Sequence, residues 1–335
     1  MDAVLTAMVE DKIGPGDRLR FLLQTAKEHL GYDYALALRS PATALQLALK
    51  ALEVQNGDSV LLSALSPRYY AQVLADMGLQ PLYCDVSFNI PCITCESIAK
   101  ALETKATGNQ PRCIVLHHTL GFVPDTTSIA ALGIPVIEDI SQSYCPLPET
   151  QDKQALDSVH STFYILGLEE RDMLTSGGGA LLFAMNRKDG AMLRNYASLP
   201  PEYCLPDINA ALASVQFKEA VRNNVRRQEL AEAYTQASLR TKHKRFIPLD
   251  GSEYNNYTFP LVLETGMKDV AAYARKKEII VENAFEHSLA GSGISDSLLC
   301  PVSYSLSLRT VLFPLYPRLR SKDAERVSKL IMTLP

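Results

Sequence analysis

Apolar and polar positions alternate between two periods along most of the chain. Between Arg18 and Leu30, the residues Leu19, Leu22, Leu23, Ala26 and Leu30 recur at helical spacing and predict one buried helix face. Tyr34–Leu38 is a short apolar run of strand length, and Ala42–Leu52 returns to helical spacing. Ser59–Leu62 reads as a strand behind the turn Asn56-Gly57-Asp58, and Tyr69–Met77 as a helix that Gly78 stops. The alternation continues with strand Pro81–Cys84, helix Ser97–Glu103, strand Cys113–His117, helix Thr127–Leu132 and strand Pro135–Glu138, which runs into Asp139. Strand-like Ser161–Leu166 follows, then a charged turn, Gly177-Gly178-Gly179, and strand Ala180–Phe183. Near-continuous apolar strands separated by helices predict an α/β fold, with a mostly parallel sheet covered on both faces.

The character changes from about Ile208. One long helical pattern covers Ile208–Ser238, with charge concentrated in its second half. Strand Tyr257–Leu263, helix Asp269–Lys277, strand Ile279–Val281 and helix Lys322–Met332 complete an α+β segment. A large domain over 1–205, with an N-terminal helix, and a smaller one over 206–335 is the resulting expectation. Two domains also fit 335 residues at about 150 residues each.

Composition narrows the classes. Hydrophobic residues make up 47% and charged residues 21%, a balance that builds a core without disulfides or structural metal. The formal charge is −4 and no long basic run occurs, which argues against nucleic-acid binding. No stretch of about 18 apolar residues lacks a charge, so no membrane span is expected. The first nineteen residues carry no signal-like apolar block, and a cytoplasmic location is the expectation. Seven scattered cysteines do not form a secreted disulfide framework. Cys92 and Cys95 have the CxxC spacing of a zinc or redox pair, but no second ligand pair follows, and two loop cysteines is the better reading.

Several strings, taken in order, resemble the DegT/DnrJ/EryC1/StrS sugar aminotransferase family. They are Ser40-Pro-Ala-Thr-Ala-Leu-Gln-Leu-Ala-Leu49, Asn56-Gly-Asp-Ser-Val60, Gly78-Leu-Gln-Pro81 with Asp85, and His117-His-Thr-Leu-Gly121. Ile134-Pro-Val-Ile-Glu-Asp-Ile-Ser-Gln142, Leu193-Arg-Asn-Tyr196, Pro206-Asp-Ile-Asn-Ala-Ala211, Arg226-Arg-Gln-Glu-Leu-Ala-Glu-Ala-Tyr234 and Phe313-Pro-Leu-Tyr-Pro317 continue the series. The resemblance implies the fold-type-I architecture of enzymes that use pyridoxal phosphate. That means a seven-stranded, mostly parallel sheet in a large domain, a small C-terminal domain, and a homodimer with active sites at the interface. Typical members transfer an amino group to a keto sugar carried on a nucleotide.

The chemistry of that cofactor sets four requirements: a lysine amine, an acid on the pyridine nitrogen, donors around the phosphate, and an aromatic ring stacked on the cofactor. By resemblance, Asp139 is the acid and Gln142 stands near the phenolic oxygen. A helix cap or a strand-to-loop turn is the bland alternative for Asp139. Thr162 retains a hydroxyl at the phosphate-contacting serine position, and Thr43 sits one residue beyond the lost threonine at Pro41-Ala42. The lysine position falls near Gly167 when counted from Thr162-Phe163, and near Glu170 or Arg171 when counted back from the glycines. No lysine occurs between Lys153 and Lys188, and arginine cannot form the Schiff base. No histidine lies between His160 and His243, so the dehydrating branch of the family fits no better. The stacking aromatic falls on Pro67, with Tyr69 and Tyr70 close enough to compensate. Glu202 replaces an asparagine that would meet the partner's phosphate.

These readings leave a divergent family member that has lost standard transamination. It would act as a ligand-binding or partner subunit in nucleotide-sugar or surface-polysaccharide metabolism, as a homodimer or with an active relative. The alternative is an enzyme that uses pyridoxal phosphate or pyridoxamine phosphate on a nucleotide-linked keto sugar without the usual lysine. Glu169, Glu170 or Glu202 could also serve a different reaction as acid or base. His117-His118 reads as part of the fold, Gly177-Gly178-Gly179 as a chain turn, and Ser141 and Ser143 lack the context of a hydrolase nucleophile. Arg222, Arg226 and Arg227 lie along one helix and fit an acidic partner or a solvated face equally.

Overall fold

The computed structural model describes residues 2–9, 13–103, 110–146, 161–249, 254–264 and 266–335. Seven strands form the main sheet: β1 (Tyr34–Leu38), β2 (Ser59–Ser63), β3 (Gln80–Cys84), β4 (Cys113–His117), β5 (Val136–Asp139), β6 (Phe163–Gly167) and β7 (Ala180–Ala184). Their order across the sheet is β1-β7-β6-β5-β4-β2-β3. The pairs β2–β3, β2–β4, β4–β5 and β5–β6 are parallel, while β7 runs antiparallel to both β1 and β6. Residues 168–179 explain the reversal, because this short connection holds no crossover helix. Gly177, Gly178 and Gly179 all take positive φ there, and a Cβ on Gly179 would stand 2.2 Å from Leu205.

Helices α1 (Asp2–Val9), α2 (Asp17–Leu30), α3 (Pro41–Ala51), α4 (Tyr69–Asp76), α5 (Cys95–Glu103), α6 (Thr126–Ala130) and α7 (Arg187–Arg194) accompany these strands. Successive strand residues face opposite ways, so β2 sends Val60 and Leu62 into the core under α3 and α4, and Leu61 into a second core with Ile98 of α5. That two-sided burial is why these strands are apolar throughout rather than alternating.

The remaining elements are α8 (Asp207–Ser238), β8 (Phe259–Val262), α9 (Met267–Lys276), β9 (Glu282–Asn283), α10 (Pro301–Arg309), β10 (Thr310–Phe313) and α11 (Ser321–Met332). A three-stranded antiparallel sheet has the order β8-β10-β9. The long helix α8 serves two cores. Ala210, Ala213 and Phe217 pack with Leu22 and Ala26 of α2, whereas Leu230, Ala231 and Tyr234 pack with Phe259, Val311 and Val327. No helix of the described residues is long and apolar enough to cross a membrane.

Most expected elements fall where the periodicity puts them, within about two residues. One does not: Ile279–Val281 is not a strand. Its first residue closes the end of α9, where Ile279 N–H donates to Ala274 O at 3.0 Å, and pairing begins only at Glu282. Helix α10 and strand β10 escape the sequence reading because a Ser-rich helix runs into a strand with no turn residue between them. Asp85 supplies what the local sequence lacks. Its carboxylate accepts from Val302 N–H, Ser303 N–H and the Ser303 hydroxyl at 2.9, 2.8 and 2.6 Å and so caps α10.

Asp207 performs a similar cap across a longer sequence distance. Its buried carboxylate accepts from Gly16, Leu19 and Arg18 N–H groups at 2.8, 2.8 and 3.1 Å, which satisfies the start of α2 while lying in the first turn of α8. Replacing it by alanine would orphan three donors at once. We expect Asp207→Ala to cost roughly 3 kcal/mol, read from urea unfolding midpoints, with Asp207→Asn costing less.

Candidate functional site around Asp139

The parallel strands deliver their carboxyl ends to one edge of the sheet, the usual location of sites in such folds. Asp139 ends β5 there and is 2% exposed. The N-terminus of α3 follows β1 at the same edge, since β1 runs with β6 through the two antiparallel steps of β7. His117 ends β4 beside Asp139, its register partner.

The Asp139 carboxylate is already engaged by the chain's own donors. Oδ2 accepts from the Tyr70 hydroxyl at 2.5 Å and from the Tyr69 hydroxyl at 3.4 Å. Oδ1 accepts from Ser141 N–H at 3.0 Å and from the Ser141 hydroxyl. Burial first, and the Asp139 charge second, hold both phenols well above their ordinary pKa, so they remain donors. The two rings meet edge to face at 4.9 Å. Tyr69 and Tyr70, read from sequence as a substitute stacking surface, instead turn their hydroxyls onto the acid. His117 is pushed down to about 4, mainly by burial and further by His118, against the opposing pull of Asp139, so it is neutral at pH 7. Its Nδ1 has no hydrogen-bond partner among the described residues.

None of the three positions counted for the lysine points a side chain at this acid. Gly167 ends β6, and a Cβ placed on it would lie 2.2 Å from the Asp172 carboxylate and 2.8 Å from Ser141 Oγ. Glu170 is exposed. Arg171 turns outward to Glu282 at 3.1 Å, an exposed pair. Asp172, which the sequence reading passed over as part of a charged turn, folds back instead. It accepts Glu169 N–H at 2.8 Å and fills the space in front of Gly167. Burial raises its pKa to about 8, with Asp139 and Glu169 adding to the rise, so it is largely a neutral acid at pH 7. Asp172 and Ser141 become recognisable only when the chain is folded, because both depend on a turn closing against a strand end.

The other sequence-derived positions divide. Gln142 is near the site, but its Oε1 accepts Leu120 N–H at 2.8 Å, where Leu120 takes φ +55°. Its carbonyl accepts from Asn255 Nδ2 at 2.8 Å. Thr43 lies at the correct sheet edge, yet its hydroxyl pairs with Ser40 Oγ at 2.9 Å. Ser40 also caps α3 by accepting Thr43 N–H, Ala44 N–H bonds Ser40 O, and Pro41 has no N–H. Little of that helix terminus is left to hold a phosphate. Thr162 is not brought to the site. Its N–H donates to Val136 O, at the opposite end of β5 from Asp139 and about 10 Å away along the strand. Strand β6 begins at Phe163, paired with Ile137, which places Gly167 and not Thr162 beside Ser141. Glu202 is exposed in a turn beside β1.

A cofactor of the kind the resemblance implies would therefore find its acid bonded to Tyr70, its glutamine bonded to backbone, and the space at Gly167 filled by Asp172. The described residues do not fit pyridoxal phosphate held through a Schiff base. A separate buried chain joins Ser143 Oγ to His118 Nδ1 at 2.6 Å, with His118 Nε2 3.0 Å from Glu138 Oε1 and the Ser161 hydroxyl 2.6 Å from Glu138 Oε2. Glu138 leaves the opposite face of β5 from Asp139, so this chain ties neighbouring strands together rather than serving the site. Cys92 is buried and donates to Phe122 O at 3.3 Å, with burial pushing its thiol up to about 12. No metal-ligating cluster occurs among the described residues.

Comparison with known proteins places the whole chain. The family description "DegT/DnrJ/EryC1/StrS aminotransferase family" matches residues 1–156 and 182–332. The interval between these stretches contains β6, Gly167 and Asp172. Among solved structures, the aminotransferase TlmJ from Streptoalloteichus hindustanus superposes with a TM-score of 0.83 at 21% identity, over 99% of this chain and 94% of that one. A DegT DnrJ EryC1 StrS aminotransferase from Brucella abortus gives 0.84 at 19% identity, over 98% and 93%. S. venezuelae DesV, solved with a ketimine intermediate, gives 0.84 at 17% identity, over 99% and 92%. At these identities the structures establish the fold, and the family match establishes membership. The chain belongs to the DegT/DnrJ/EryC1/StrS aminotransferase family.

Proposed function

We propose that this protein binds a nucleotide-linked sugar, or partners an active relative, without carrying pyridoxal phosphate as a Schiff base. A homodimer is the assembly proposed, with a heteromer as the form in which a partner role would operate. The observation that carries this reading is the closure of Asp139 by Tyr70, Tyr69 and Ser141, combined with the Asp172 carboxyl in front of Gly167. An acid that must pair with a pyridine nitrogen has to present an open lone pair, and the two oxygens of Asp139 already accept four hydrogen bonds from the chain, two on each oxygen.

The second reading is an enzyme acting on a nucleotide-linked keto sugar without the usual lysine. Family membership and the aminotransferases among the structural neighbours speak for it more directly than for a partner role. The Nδ1 of His117 beside Asp139, without a hydrogen-bond partner among the described residues, also offers a ligand one polar contact. Under this reading Tyr69 and Tyr70 would have to move away from Asp139 on binding.

Titration with pyridoxal phosphate, borohydride reduction and peptide mass mapping separate the two. We expect no Schiff-base absorption band and no adduct confined to one lysine. A stoichiometric adduct on a single lysine, or amination of a nucleotide-linked keto sugar by the purified chain, would overturn the proposal.

The raised pKa of Asp172 adds a stability prediction. In the unfolded chain this carboxyl releases its proton near 3.8, and in the folded protein only near 8. Its contribution is therefore complete below about 4 and is lost as pH rises through about 8. The depressed pKa of His117 acts at lower pH with the opposite sense, its contribution being lost as pH falls through about 4. Urea midpoints of Asp172→Asn should lose the decline that wild type shows towards pH 8. Parallel curves for the two proteins would contradict the assignment.

A further inference from the structure

We propose that the cavity between α8, the turn after β6 and Tyr316–Arg318 is a binding site for a small organic anion, a carboxylate or a phosphate ester, anchored by Arg227. This cavity adjoins the Asp139 centre and shares Asp172 with it, but its anchor Arg227 takes no part in closing that centre, so the reading given above can fail without affecting it.

The cavity has a volume of about 370 Å3, within the range of small-molecule sites. Arg227 comes from the second half of α8 and lines it. One guanidinium nitrogen, Nη1, donates to Tyr257 O at 2.6 Å and to Leu315 O at 3.2 Å. Two carbonyls from different segments thus fix the plane of the group before any ligand arrives. Arg227 has no ion-pair partner among the described residues, and the titratable groups beside it, Tyr254 and Tyr257, are neutral phenols. Burial accordingly drives its pKa down. A partly buried cation without a counter-ion carries a desolvation cost, and an anion entering the cavity would relieve it. A guanidinium with a free edge is also well shaped for a carboxylate or phosphate, which it can meet through two parallel hydrogen bonds.

The rest of the lining is consistent with an anion. Arg318, on the small-sheet side, is exposed and has no ion-pair partner among the described residues. Three carboxyl groups also line the cavity, and none is set against Arg227. Glu219 is paired with Arg222, Glu170 is exposed, and Asp172 is largely protonated at neutral pH, so its hydroxyl can donate to a bound anion. The Tyr144 hydroxyl, in the wall of the cavity, is buried with no hydrogen-bond partner among the described residues.

The test uses the full chain and two probes, inorganic phosphate and succinate, titrated calorimetrically at constant ionic strength against sodium chloride. Wild type should bind at least one probe saturably, and the tighter probe identifies the ligand as a phosphate ester or a carboxylate. Arg318→Ala should weaken that binding about tenfold, as losing one charge-assisted contact implies. Because Arg227 also straps α8 to two carbonyls, Arg227→Lys is the informative change there: it keeps the charge, loses the fork, and should weaken binding while leaving the circular dichroism spectrum unchanged. No saturable binding of either probe to wild type, or equal affinity in wild type and both variants, would overturn the proposal.

Discussion

A buried carboxylate demands hydrogen-bond donors, and the way Asp139 obtains them shapes everything around it. The carboxyl edge of a parallel sheet leaves a strand-end acid in a crevice where a ligand would ordinarily answer that demand. Here α4 brings Tyr69 and Tyr70 to the acid, and the turn after β5 brings Ser141. Each donor fixes a further element. Ser141 Oγ also accepts Gly167 N–H at 2.7 Å, which holds the end of β6, and the following turn then folds Asp172 across the same space. The site is closed by a continuous chain of hydrogen bonds, and opening it means breaking several of them together.

The same logic governs how distant parts of the chain are joined. Asp207 caps α2 from the start of α8, Asp85 caps α10 from the end of β3, and Arg227 straps α8 to two backbone carbonyls. In each case one charged side chain satisfies backbone groups thirty or more residues away in sequence. Helix α8 is central because its two halves sit in different apolar cores, so these polar ties keep the two cores in register. The exposed ion pairs, such as Arg171–Glu282, contribute little beside them.

Periodicity and turn residues made most of the architecture legible from the chain alone. The strands Tyr34–Leu38 and Cys113–His117 were readable to the residue, because buried parallel strands are continuous apolar runs bounded by polar turns. The family strings drew attention to Asp139 and to the lysine-free stretch 154–187 for the same reason: short motifs record local chemistry. Helix α10 and strand β10 were not readable, since no turn residue separates them and α10, although Pro301 opens it, takes its cap from the distant Asp85.

What the sequence by itself determined was therefore the fold class, the family, the acid at the end of β5 and the absence of any lysine from 154 to 187. Only the tertiary structure decided that Tyr70 bonds to Asp139, that Asp172 rather than Arg171 turns inward, that Thr162 lies at the far end of its strand, and that Arg227 is a half-buried cation on a cavity. Strand register and turn closure set these contacts. Both arise from packing between residues distant in sequence, which no local pattern records.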